Sequence, residues 1–240
     1  MKIWKTKSGY EIYQLLSGRS NVFFLKAKGI NILIDTSTKR YWKKLNVKLL
    51  RLEISKIDFL ILTHSHHDHA SNANRIKQYF GAKVIIHTEE ATYLENGKNP
   101  LIKGTNFITK LIVSFGKSLF SKMKYERCKP DILVEQQYDF EKKGLKAKII
   151  HTPGHSVGSV SLIVDNEIAI VGDTLFGVFK NSVLPPYTSD NIEMLRSWKK
   201  LYETGCNYFL SGHGKEKSRK DLENSIKKYS AILNLEINEN

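Results

Sequence analysis

The residues with the most chemistry in reach are Thr63-His64-Ser65-His66-His67-Asp68-His69, a run that holds four of the chain's eight histidines. Imidazole and carboxylate are the ligands that zinc, iron and manganese accept. Alternation along an extended segment sends His64 and His66 the same way. A tight turn after them would aim Asp68 and His69 at a second point nearby. A solvated polar loop is the plain alternative for such a tract standing alone. Three more segments repeat the layout, an apolar run ending in a glycine-flanked His or Asp. They are Ile149-Ile150-His151-Thr152-Pro153-Gly154-His155-Ser156, Ile168-Ala169-Ile170-Val171-Gly172-Asp173-Thr174 and Tyr208-Phe209-Leu210-Ser211-Gly212-His213-Gly214. Glycine lets a backbone turn sharply and approach a site closely. Four such loops together favour a metal site over chance.

The elements that must position these loops are legible in outline. The histidine cluster follows the apolar run 57–62, which reads as a buried strand, and precedes a helix-like segment over 70–79. It therefore sits on a loop at a strand's C-terminal end, where rigid scaffolds commonly carry site residues. Strands are expected over 11–16, 21–28, 32–34 and 83–87, and a hairpin over 160–171 that turns near Asn166. Trp42, Leu45, Leu49 and Leu52 form one stripe of an amphipathic helix over 39–52. Ser189 or Asp190 caps a helix to about 203, and Ser218 with Asp221 resembles a capping box that opens the last helix.

In this order and spacing, His-x-His-x-Asp-His, Gly-His-Ser, Gly-Asp-Thr-Leu-Phe and Gly-His-Gly resemble the metallo-β-lactamase-fold superfamily over nearly the whole chain. The resemblance implies an α+β fold, a four-layer αββα sandwich of two mixed sheets flanked by helices, as one domain over 1–240. It implies that His64, His66 and His155 bind a first metal, that Asp68, His69 and His213 bind a second, and that Asp173 bridges them. Two divalent ions are expected, zinc first, with iron or manganese as alternatives. Their shared hydroxide would attack a carbonyl or phosphorus centre, while Asp68 orients the nucleophile and shuttles a proton.

The resemblance selects branches unevenly. His66 stands where flavodiiron proteins carry a Glu. Asp173 stands where secreted class B1 β-lactamases carry a Cys ligand. Gly-Asp-Thr-Leu-Phe resembles glyoxalase II, a thioesterase, but few residues follow His213 to form that family's helical substrate domain. Phe176 stands where quorum-signal lactonases have a Tyr. The expectation is a dinuclear hydrolase of a small ester, thioester or lactone. A phosphodiesterase or nuclease of the same fold is the first alternative. An iron dioxygenase holding one ion through His64, His155 and Asp173, or a non-catalytic metal-binding sensor, are the others.

Other residues have local readings. Asp35 resembles an Asp that follows the family's early strand, with a role beside the ligands or in a turn. Asp58 needs a hydrogen-bond partner among apolar neighbours, and a bond that steadies the histidine loop is expected of it. His67 and His151 are expected to be non-ligands, and His87 a satisfied core histidine. Ser156 and Ser159 could hold ligands by hydrogen bonds, and Tyr187 could reach substrate or pack.

The formal charge is +14, from 38 Lys and Arg against 24 Asp and Glu. Lysines dominate and are scattered, whereas Arg is the better bidentate phosphate reader. This favours general solvated charge over a nucleic-acid interface, with attraction of an anionic substrate as a further role. The N-terminus has no apolar signal-like core, and no run reaches the length needed to span a bilayer. Cys128 and Cys206 form no Cys-x-x-Cys pair. These features lead to an expected cytoplasmic location. Residues 88–143 read as a variable insertion that covers the site. Within it, apolar residues from Phe107 to Met123 recur at helical spacing with lysines between. A lid with a basic rim would suit a small substrate with an apolar part and an anionic part. A homodimer contact, a membrane-surface contact and ordinary core packing are the competing roles.

Overall fold

The computed structural model describes residues 1–100, 103–105 and 124–233. A seven-stranded sheet has the order β1-β2-β3-β4-β5-β6-β8. Its strands are β1 Lys2–Lys5, β2 Glu11–Leu16, β3 Val22–Ala27, β4 Ile30–Ile34, β5 Phe59–Ile61, β6 Lys83–His87 and β8 Ile132–Val134. A six-stranded sheet has the order β15-β14-β12-β11-β10-β9. It is built from β9 Gln137–Asp139, β10 Ala147–His151, β11 Val160–Val164, β12 Ile168–Gly172, β14 Tyr208–Ser211 and β15 Lys217–Ser218. A small ribbon pairs β7 Lys103–Gly104 with β13 Tyr187–Thr188. Both large sheets are mixed. The pairs β4·β5, β5·β6 and β6·β8 in the first and β12·β14 in the second are parallel, and their other pairs are antiparallel.

Strand periodicity builds the layers. Successive side chains point to opposite faces, so a strand buried on both sides reads as an unbroken apolar run. Phe23, Ile32, Ile34 and Ile85 face the second sheet and meet Ile149, Leu162, Ile168 and Ile170 in the central core. Their neighbours Phe24, Leu33, Val84 and Ile86 face outward onto Leu45, Leu49, Ile76, Phe80 and Leu94. These come from helices α1 Trp42–Arg51, α3 Ala73–Phe80 and α4 Thr88–Asn96. On the far side, Ile163, Ala169, Val171 and Phe209 pack on Met194, Trp198, Leu201, Leu222 and Ile226. Those lie on α5 Asn191–Glu203 and α6 Arg219–Ile232. The result is the αββα sandwich expected from the sequence.

Local signals set the boundaries. Asp165 and Asn166, with φ of 55° and 52°, make the tight turn between β11 and β12. Asp190, not Ser189, caps α5 by accepting from Ile192 N and Glu193 N. Ser218 and Asp221 form the full capping box of α6. Asp58 accepts from Asn31 N and pairs with Lys56 at the start of β5, so it steadies the strand's near end and not the histidine loop. The stretch read as an insertion divides. Thr88–Asn96 packs Leu94 into a core, and Ile132–Val134 and Gln137–Asp139 join the two sheets. The helical spacing read over 105–123 falls almost wholly outside the described residues.

Candidate metal centre

Four strands converge at one edge of the sandwich. The chain leaves β5, bends at Thr63, is extended at His66, and enters the single helical turn α2 His67–Ala70, with His66 at its N-cap. That change from extended to helical swings Asp68 and His69 away from the line of His64 and His66. In the second sheet β10, β12 and β14 run in the same direction, so the segments after them deliver His155, Asp173 and His213 to that edge. Donor atoms of His64, His66 and His155 lie within 4.8 Å of one another. So do those of His64, His69 and Asp173, and those of Asp68, His69 and His213. All seven residues singled out from the sequence therefore meet in one cluster.

The spacing within it fits cations. Two ligands, each about 2.1 Å from one ion at a tetrahedral angle, stand about 3.4 Å apart. His69 Nε2 and His213 Nε2 are 3.4 Å apart. Asp173 Oδ1 is 3.4 Å from His69 Nε2, and its Oδ2 is 3.6 Å from His155 Nε2 and 3.3 Å from His213 Nε2. Asp68 Oδ2 is 3.6 Å from His213 Nε2. Charge-assisted hydrogen bonds are shorter, about 2.7–2.9 Å. Among the described residues, His64 Nε2, His66 Nε2 and Asp173 Oδ1 are buried without a hydrogen-bond partner. Burial of unpaired polar atoms costs free energy unless something else engages them. An all-nitrogen and oxygen donor set of this kind suits zinc, iron or manganese.

Hydrogen bonds fix which ring nitrogen faces inward. His69 Nδ1 donates to Asp35 Oδ2 at 2.8 Å, and His155 Nδ1 donates to the Tyr187 carbonyl at 2.8 Å. Each leaves Nε2 to face the cluster, the usual arrangement for a ligand histidine. Asp35 also accepts from Thr63 N and Thr63 Oγ1. It holds a left-handed φ of 61°, which is uncommon for a non-glycine residue. Tyr187 thus acts here through its backbone.

The electrostatics divide the centre. Burial, then the neighbouring histidines, push His64 far down and His66 down to about 3, so both rings are neutral and free to ligate. At His69 burial works the other way from the field, and the Asp173 and Asp35 carboxylates outweigh it and raise the pKa to about 10. Burial pushes Asp173 up, but His213 and His69 hold its carboxyl well below the usual range. Asp68 is likewise lowered by His69 and His213 against its burial. The centre thus sets the neutral rings of His64 and His66 on one side, and on the other carboxylates that favour positive charge at His69 and His213.

The remaining histidines stay outside. His67 belongs to none of the three donor groups. His87 Nε2 donates to the Glu135 carbonyl, its Nδ1 caps α4, and its ring stacks on His151 at 4.0 Å. Ser156 and Ser159 bond each other and hold their own turn.

Several supports were not visible in the sequence. Glu90, 1% exposed, accepts from Ser65 N at 3.0 Å, from Ser65 Oγ and from Gly158 N at 3.2 Å. It ties the loop carrying His64 and His66 to the loop carrying His155. Tyr125 Oη donates to the Ser65 carbonyl at 2.7 Å, and Asn21 Nδ2 donates to the carbonyls of Ser211 and Gly214 around His213. Glu90 lies in the first turn of a helix, where an acidic residue is ordinary. That masks its signal. Gly212 is required by close approach, since a Cβ there would lie 2.3 Å from Asp173 Oδ1.

The model of the metallo-beta-lactamase superfamily matches residues 17–213. A probable metallo-hydrolase of Methanocaldococcus jannaschii is 34% identical over 157 residues, which are 65% of this chain and 68% of that protein. A hydroxyacylglutathione hydrolase of Pelagibacter ubique is 26% identical over 81% of this chain and 66% of its own length. The solved structure of an archaeal metallo-beta-lactamase superfamily protein from Sulfolobus tokodaii superposes with a TM-score of 0.63 at 21% identity, covering 90% of this chain and 85% of the other.

Proposed function

The chain belongs to the metallo-beta-lactamase superfamily and is a metal-dependent hydrolase, and from this we propose that it cleaves a small ester, thioester or lactone with two divalent ions, zinc first, held in one centre. His64, His66 and His155 hold one ion. Asp68, His69 and His213 hold the other, and Asp173 is shared. The observation that carries the two-ion reading is the Asp173 carboxylate, whose Oδ2 stands 3.6 Å from His155 Nε2 and 3.3 Å from His213 Nε2. One group thereby contacts a histidine from each donor set.

Bound there, two divalent ions supply Lewis acidity, activating a water and polarising the substrate oxygen. The chain's own residues do the rest. Asp68, kept ionised by His69 and His213, orients the attacking water at its carboxylate oxygen and carries the proton to the leaving group. Phe176 lies against the His213 ring at 5.2 Å and against Phe179 at 5.5 Å, an apolar wall for the substrate's non-reacting part. Similarity to a hydroxyacylglutathione hydrolase supports a thioester among the three classes.

Metal content of protein purified without chelators, with turnover of thioesters, lactones and phosphodiesters, tests this reading. Two ions per chain, chelator-sensitive hydrolysis, and loss of both ion occupancy and turnover in Asp173→Ala are expected. Full metal content with normal turnover in Asp173→Ala would overturn the shared role of Asp173. One iron per chain without hydrolysis would overturn the reaction class.

A further inference from the structure

A second concavity, separate from the histidine centre, lies between the segment 180–183 and the first turns of α6. It encloses about 270 Å³. Three lysines, Lys180, Lys217 and Lys228, line it beside Ser182 and Asn224. Asp221 is the one acid in the wall. Its Oδ2 is already engaged by Ser218 N and Ser218 Oγ in the helix cap. Lys217 is the unusual member. It is only 6% exposed. Its Nζ donates to the Phe179 carbonyl, and among the described residues no carboxylate forms an ion pair with it. An ammonium brings three donors and a full charge: the Phe179 carbonyl takes one donor, and the charge is near enough to Asp221 to help lower that carboxyl's pKa. Lys180 and Lys228 form no ion pair among the described residues, Lys228 lying over the Tyr229 ring at 5.5 Å, so three lysines face one carboxylate and the lining keeps an excess of positive charge.

We propose that this cavity is an anion site that takes the phosphate group of a small molecule. A tetrahedral dianion offers enough acceptor oxygens for three ammoniums, and hydroxyl and amide groups stand beside them to orient it. The volume is near the lower end of small-molecule pockets, which suits inorganic phosphate or a short phosphomonoester and not a nucleic acid. The floor is stiff. Ser182 Oγ bonds Tyr229 Oη at 3.1 Å, and the Tyr229 ring packs edge-on against buried Trp198 at 5.5 Å. Trp198 fluorescence is therefore a local reporter. The site stands independently of the hydrolase reading, since none of its residues belongs to the histidine centre.

The test is calorimetric titration of metal-loaded protein with inorganic phosphate and, separately, with glycerol 3-phosphate, at constant ionic strength set by chloride, with tryptophan emission read in parallel. Saturable binding of at least one ligand is expected, with a change in Trp198 emission. Tighter binding of the ester names a phosphomonoester as the occupant, and equal binding names free phosphate. Lys217→Met is expected to weaken binding at least about tenfold, the loss of one charge-assisted contact. The exposed double variant Lys180→Gln with Lys228→Gln is expected to do the same while metal content and turnover stay unchanged, and it decides the matter if the buried substitution fails to fold. No saturable binding by the wild type, or equal binding by the double variant, would overturn the proposal. The second outcome would move the phosphate to the metal centre.

Discussion

Glu90 offers the sharpest test of how the two ligand loops are held together. It sits on α4, outside every donor group, yet it accepts from Ser65 N, Ser65 Oγ and Gly158 N in a buried setting. Ser65 lies between His64 and His66, and Gly158 closes the turn after His155. Glu90→Ala would orphan three buried donors. Each costs about 1–3 kcal/mol, but water entering the vacated space would satisfy part of them, so a total of about 3–5 kcal/mol is expected. Glu90→Gln keeps one carbonyl oxygen for Ser65 and turns an amide donor toward Gly158 N, so about 1–3 kcal/mol is expected. The ligand loops should loosen with it, and support of this kind is worth about 10–100-fold in metal affinity. Urea unfolding of both variants gives the stability, and competition with a chromogenic chelator gives the affinity. A purely structural role would lower stability in both variants and leave the affinity of the folded protein unchanged. Wild-type stability and wild-type affinity in Glu90→Ala would refute the reasoning altogether.

Asp35→Asn leaves one carbonyl oxygen for Thr63 and turns an amide donor toward the His69 Nδ1 proton, so metal affinity should drop about 10–100-fold, as chelator competition would show. Gly212→Ala would put a methyl 2.3 Å from Asp173 Oδ1 and 2.7 Å from His69 Cε1. Overpacking of about 1–3 kcal/mol is expected, read by thermal unfolding, together with reduced metal content. Burial pushes the Asp221 pKa up, but bonds from Ser218 N and Ser218 Oγ, with the Lys217 charge, outweigh it and lower it. A lowered carboxyl stabilises the fold above its unfolded pKa of about 4, and that contribution is lost as pH falls through the folded value. Asp221→Asn should therefore cost about 0.5–1 kcal/mol near neutral pH, kept small by solvent, and the gap from wild type should close below about pH 4 in urea titrations.

Local physics was legible from the residues alone. The stripe through Leu45 and Leu49 gave α1, the Ser218–Asp221 spacing gave the α6 cap, and the apolar runs ending in glycine-flanked His or Asp marked the loops that meet at the centre. Those features depend on neighbours within a turn or a strand, where spacing dictates geometry. The two sheets were harder to assign, because strands such as β6 and β12 are buried on both faces and their runs do not say which sheet they join. The stretch 88–143 reads as one insertion for a related reason. Its residues at both ends are short elements of the sandwich, with signals too brief to stand out.

The sequence by itself supplied the candidate donor residues, through residue type and spacing, and the kind of fold, through its resemblance to a known superfamily. Only the tertiary structure decided that Asp35 orients His69, that Glu90 ties two loops of the centre together, and that Lys217 lies buried beside the Phe179 carbonyl in a wall with two other lysines and a single carboxylate. Each of those depends on contacts between segments far apart in the chain. Side-chain charge and polarity are printed in a sequence, but whether a charge meets water, a carbonyl or a partner is fixed only when the layers close around it.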